Sequence, residues 1–113
     1  MKTHHMKLAE TPYRMIERGE KTCEARLYDE KRQQIDLGDM IVFSHVDDKS
    51  QTIETEVVGL LRYETFGDMF ARTDPSKFGI ENAELGAEVM LRYYDQQRQD
   101  KYGVLGIELE LVR

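Results

Sequence analysis

Between Tyr102 and Val112 the chain alternates. Leu105, Ile107, Leu109 and Leu111 share one parity, and Val104, Glu108 and Glu110 share the other. A period of two is the mark of a β-strand with one face turned to a core. Thr52 to Tyr63 reads as a second, longer strand rich in β-branched residues, with Gly59 as a bend or bulge. Shorter strands are predicted over residues 4–8, over the alternating residues 21–27, and over the apolar run Met40 to Phe43. Helical signals are fewer. Thr11 and Pro12 predict a helix start, with the helix covering Pro12 to Arg18 and Gly19 as its left-handed stop. Thr65 to Asp68 reads as a capping box opening a short helix through Phe70. Asn82 to Tyr94 is the clearest helix, with Leu85, Val89 and Tyr93 recurring four apart on one face. Residues 95–101 are polar and read as a loop. Five or six strands with three helices leave too few parallel crossovers, so the pattern points to an α+β chain built on an antiparallel, partly closed barrel.

At 113 residues, with no low-complexity tract, repeat or linker, the chain is expected to form one domain over residues 1–113. No apolar run approaches the length needed to cross a bilayer, and the first residues lack the apolar stretch of a secretory signal. The lone Cys23 excludes an internal disulfide and suits a reducing compartment, so a cytoplasmic location is expected. The net charge of −6 argues against a long duplex as partner. The charge is uneven, however. Residues 1–32 carry 8 basic and 6 acidic side chains, net +2, while residues 33–113 carry 8 and 16, net −8. An anion site is therefore expected near the N-terminal third, with a short strand or single nucleoside as its guest.

Residues 19–26, Gly-Glu-Lys-Thr-Cys-Glu-Ala-Arg, concentrate the useful chemistry. Lys21 offers a mobile cation with three donors, and Arg26 a flat fork that matches a phosphate or a base edge. Glu24 only accepts. It either orients Arg26 or reads an exocyclic amine. Glu24 and Arg26 share parity on a strand, whereas Lys21 has the opposite parity and joins them only if the strand start is rotated. The bland alternative is a solvated surface ion pair worth about 0–1 kcal/mol.

The octapeptide follows the pattern G-x-K-x-x-E-x-R and resembles the signature of the ASCH domain. The helix before Gly19, the segment Leu37 to Phe43, Tyr63-Glu64-Thr65-Phe66 and Tyr102-Gly103-Val104 follow in the same order. The resemblance implies a PUA-like mixed, mostly antiparallel β-barrel with about three peripheral helices. It also implies a cleft lined by the motif that binds RNA or a nucleoside. Lys21, Glu24, Arg26, Tyr63, Tyr102 and Gly103 are the ligand-binding residues it suggests. Similar bacterial proteins hydrolyse N(4)-acetylcytidine with a lysine, a threonine and a distant glutamate. Lys21 matches that lysine, but the threonine position holds Glu24, and the distant glutamate falls near Glu81. If the chain is a hydrolase, Lys21 and Glu24 are its catalytic candidates. Binding without turnover is the preferred reading, and a protein-interaction module is a third.

Other features favour bland readings. Cys23, with His45 or His4 as base, is better explained as core. His4, His5 and His45 lack metal-ligand spacing, so no metal or cofactor is expected. Tyr28, Tyr63 and Tyr102 either stack on bases or pack with the hydroxyl at the rim.

Overall fold

The computed structural model describes residues 1–112. Five strands form one mixed sheet in the order β1-β3-β4-β5-β2. They are β1 (Thr3–Leu8), β2 (Cys23–Leu27), β3 (Met40–His45), β4 (Thr52–Tyr63) and β5 (Val104–Leu111). Only the β1–β3 pair is parallel; β3–β4, β4–β5 and β5–β2 are antiparallel. The sheet curls into a half-barrel, so the expected mixed, mostly antiparallel architecture is present. Arg26 on edge strand β2 donates to the Lys7 carbonyl on the opposite edge strand β1, at 3.1 Å. One side chain thus spans the seam where a closed barrel would have ladder hydrogen bonds.

Two apolar cores flank the sheet. The concave side gathers Met6, Leu8, Ile41, Phe43, Val57, Leu105, Ile107 and Leu109 with Tyr13 and Ile16 of helix α1 (Glu10–Glu17). The convex side gathers Cys23, Ala25, Leu27 and Val104 with Phe66, Met69 and Phe70 of helix α2 (Phe66–Arg72) and with Phe78. Strand β5 is an interior strand covered on both faces, which explains its run of buried residues from Val104 to Ile107. The ladder between β4 and β5 slips between Val57 and Gly59. The Glu108 carboxyl occupies the space that a Cβ on Gly59 would take, so the expected bulge has a steric cause.

The helices correct several expectations. Helix α1 begins at Glu10, capped by the Ala9 backbone, so Thr11 lies inside it and caps nothing. Gly19 follows with φ 77°, as its stop signal predicted. Thr65 caps α2 by accepting from the Asp68 amide at 3.0 Å, as read. Helix α3 spans Ala83–Leu91, with Asn82 as its cap, and the Leu85–Val89–Tyr93 face is not the one it buries. Leu85 and Tyr93 are exposed, while Ala83, Gly86 and Met90 turn toward the convex core. A Cβ on Gly86 would lie 2.8 Å from the Phe70 ring, so this small residue sets how closely α3 approaches α2. Small side chains thereby decided the helix's rotation over larger apolar ones.

Residues 95–101, read as a loop, mostly form a fourth helix, α4 (Gln96–Tyr102). Asp95 caps it by accepting from the Arg98 amide at 2.8 Å. Its one buried side chain is polar: Gln99 accepts from the Phe66 amide at 2.7 Å. A helix anchored by an amide shows no apolar period, which is why hydrophobic patterning misses it. Among the described residues, no helix is long and apolar enough to cross a membrane.

Candidate functional site

The turn after α1 delivers Lys21 to the start of β2. The Glu20 and Lys21 amides both donate to the Met15 carbonyl, at 2.8 and 3.0 Å. Because Lys21 precedes the strand, strand parity does not govern its direction. Lys21 Nζ donates to Glu24 Oε1 at 3.1 Å, and Arg26 Nη2 donates to Glu24 Oε2 at 3.0 Å. The cluster that parity made doubtful is therefore complete. Glu24 Oε1 also accepts from the Ala25 amide at 3.0 Å. The side chains of Lys21, Glu24 and Arg26 are 10%, 6% and 16% exposed, so a solvated surface pair is not what the structure contains.

Two cations share one carboxylate, leaving a local charge of +1 in a chain of −6. Burial pushes the Glu24 carboxyl toward its neutral form, but Lys21 and Arg26 outweigh it and hold the pKa below the usual range. Burial likewise works against the Arg26 charge, and Glu24 reverses that. Glu24 is thus an ionised acceptor that fixes both cations. The Lys21 stem lies under Gly79, and its position lines a pocket of about 360 Å³ with Ile16, Gly19, Thr22, Thr55 and Leu109.

Tyr94 belongs to this site although the sequence reading passed over it. Its hydroxyl lies beside the Arg26 guanidinium. Its ring stacks on Phe66, with centroids 5.6 Å apart, and the Arg98 guanidinium sits 6.0 Å from it. The available signal was the stripe Ala83, Gly86, Ala87, Met90, Tyr94, which is helical in spacing but weak in hydrophobicity.

Tyr63, Tyr102 and Gly103 are elsewhere. They line a separate pocket of about 560 Å³ with Arg62, Glu64 and Lys101. Leu27 pairs with Val104 and Cys23 with Glu108, so Gly103 lies beyond the end of β2 opposite Lys21. The six residues expected to line one cleft therefore divide between two mouths. Tyr63 also packs against the convex core, and Tyr102 donates to Glu30 at 3.0 Å. Tyr28 is covered on one face by Arg62, whose guanidinium carbon is 3.8 Å from the ring centre.

Cys23 and two of the histidines are engaged within the fold. Cys23 is buried, and burial pushes its thiol pKa up, away from a reactive thiolate. His4 is engaged by Asp39 and His45 by Glu10, each at 2.8 Å. Glu81 is exposed. Among the described residues no group of three or more His, Cys, Asp or Glu is arranged to hold a metal ion.

Known proteins give this arrangement a family. The family model for the ASCH domain matches residues 6–113. The crystal structure of hypothetical protein PH0355 is similar at 35% identity and a TM-score of 0.87, over 97% of this chain and 99% of that one. The solution structure of PF0455 from Pyrococcus furiosus is 34% identical with a TM-score of 0.76, over 98% of each chain. An ASCH protein from Zymomonas mobilis shares the fold alone, at 15% identity and a TM-score of 0.59, over 96% of this chain and 68% of that one. No functionally curated protein matches the chain. The match over nearly the whole length, on the sheet that carries Lys21, Glu24 and Arg26, makes this chain a member of the ASCH domain family.

Proposed function

We propose that the protein recognises RNA or a nucleoside-like ligand through the Lys21–Glu24–Arg26 cluster. The observation that carries this reading is a buried carboxylate that orients two cations without neutralising them. Lys21 spends one of its three donors on Glu24 and directs the others at a phosphate or carbonyl oxygen. Arg26 is held by Glu24 and the Lys7 carbonyl, so its fork is preorganised and loses little freedom on binding. The 360 Å³ pocket beside Lys21 is within the size range of small-ligand sites.

Hydrolysis of a modified nucleoside fits less well. A lysine base or nucleophile needs a free amine, and here Nζ donates to an ionised carboxylate. The position that would supply a hydroxyl holds Glu24 itself. A charged Lys21 still polarises a carbonyl, which is a binding role.

Calorimetry with cytidine 5′-monophosphate tests the reading. Binding is expected in the wild type and is expected to fall at least about tenfold, or about 1.4 kcal/mol, in Lys21→Ala and in Arg26→Ala. Each variant leaves Glu24 one cation, and circular dichroism verifies its fold. On a longer single strand, two phosphate contacts predict a salt slope of about −1.4, from about −0.7 per contact. Binding indifferent to both substitutions would refute the proposal and favour a protein-docking role. Cytidine released from N(4)-acetylcytidine, seen by chromatography, would show that the chain is a hydrolase instead.

A further inference from the structure

The second pocket contains chemistry that the Lys21 cluster does not use. Among the described residues, none of the lysines or arginines beyond residue 32 forms an ion pair, although that part of the chain is strongly acidic. Three of these free cations lie together or in series. On α4, Arg98 is three residues from Lys101 and four from Tyr102, so it is a helix-surface neighbour of both. Lys101 Nζ sits 5.0 Å from the centre of the Tyr102 ring. Arg62 comes from β4 and is flattened against Tyr28. Both cations are thus positioned by aromatic faces, not by carboxylates.

Gly103 lets two backbone segments approach closely at this pocket. Gly103 has φ 71° and ψ −170°, a conformation reserved almost entirely for glycine. A Cβ there would lie 3.1 Å from the Tyr63 carbonyl oxygen. The Gly103 carbonyl accepts from the Tyr28 amide at 3.0 Å, which draws the Tyr28–Arg62 stack to the pocket's rim. Glu64 and Asp100 line the pocket as well, so its charge is balanced. Such a lining suits a base against tyrosine and a ribose hydroxyl against a carboxylate better than it suits a bare phosphate.

The Tyr94 hydroxyl lies near Arg26, Arg98 stands over the Tyr94 ring, and α4 continues from Arg98 to Lys101 and Tyr102. Strand β2 alone separates its ends by about 13 Å, from four steps of about 3.3 Å. A guest that reaches both mouths is therefore longer than a single nucleoside.

We propose that the pocket formed by Arg62, Tyr63, Glu64, Asp100, Lys101 and Tyr102 holds a second ribonucleotide unit, so that the ligand of the Lys21–Arg26 site is a short single-stranded RNA and not a free nucleoside. This rests on the preceding reading and names its substrate class.

Binding of cytidine 5′-monophosphate, a tetracytidylate ribonucleotide and its deoxy counterpart tests it by calorimetry. The wild type is expected to bind the tetraribonucleotide at least about tenfold more tightly than the mononucleotide. The double variant Arg62→Ala/Lys101→Ala changes two exposed side chains, so its fold is retained. It is expected to lose that advantage while binding the mononucleotide as the wild type does. The deoxy strand is expected to bind more weakly than the ribo strand. A tetranucleotide that binds no better than the monomer, or an advantage that survives the double substitution, overturns the second subsite while leaving the Lys21 site intact. Equal binding of the deoxy strand overturns the ribose contact. If no ligand binds the wild type, or if binding ignores Lys21→Ala, the preceding reading falls as well.

Discussion

Replacing Glu24 with glutamine removes one charge and almost no volume. The amide oxygen still accepts from the Ala25 amide, but Lys21 and Arg26 then face each other without an anion between them. Breaking a buried ion pair from one side typically costs about 3–5 kcal/mol. The two cations retain 10% and 16% exposure, and Arg26 keeps the Lys7 carbonyl, so the lower end, about 3 kcal/mol, applies. At a urea slope of about 1.5 kcal/mol per molar, the unfolding midpoint should fall by about 2 M at pH 7. The pH dependence provides an independent check. Glu24 has a depressed pKa in the folded state, so its contribution is complete above the ordinary glutamate value of 4.5 and is lost as pH falls below it. The gap between wild type and Glu24→Gln should therefore be constant near neutrality and narrow below pH 4.5, as the wild type weakens. A midpoint within about 0.3 M of the wild type at pH 7 would show that this carboxylate does not compensate buried cations. The preorganisation on which the binding site depends would then be lost from the reasoning too.

Other substitutions probe the supports of the two sites. Gly103→Ala should destabilise the fold by about 1–3 kcal/mol, read from thermal melting, because alanine rarely adopts its backbone conformation. Gln99→Leu should cost about 1–3 kcal/mol by leaving the buried Phe66 amide without its acceptor, and an unchanged melting temperature would refute the anchoring of α4. Asp39→Ala should cost about 3 kcal/mol: Asp39 accepts from the Lys2 amide, His4 and the Asp36 amide at 3.0, 2.8 and 2.9 Å, and is 2% exposed. Burial opposes the Asp39 charge, but those donors hold its pKa well below normal, so its stabilisation should vanish only in strong acid. Tyr94→Phe should leave stability nearly unchanged, since the Phe66 stack persists, while weakening cytidine 5′-monophosphate binding several-fold in calorimetry.

Much of this protein was legible from local pattern. The strand around Leu105 to Leu111, the stop at Gly19, the cap at Thr65 and the bulge at Gly59 depend on neighbours in sequence or on one adjoining strand, and each is observed. So is the family, because Lys21, Glu24 and Arg26 lie within six residues and their spacing survives as a string. What the string leaves open depends on contacts between distant segments. Strand parity separated Lys21 from Glu24, yet the turn pinned by the Met15 carbonyl brought them together. The rotation of α3 was decided by Gly86 against Phe70, and α4 exists around a polar anchor, Gln99, that hydropathy treats as surface. The division of the expected site into two mouths follows from the antiparallel pairing of β2 with β5, which sends Lys21 and Gly103 to opposite ends of the same ladder. Periodicity reports which face of an element is apolar; it carries no information about which distant atom meets that face, and that meeting determines where charge can be buried.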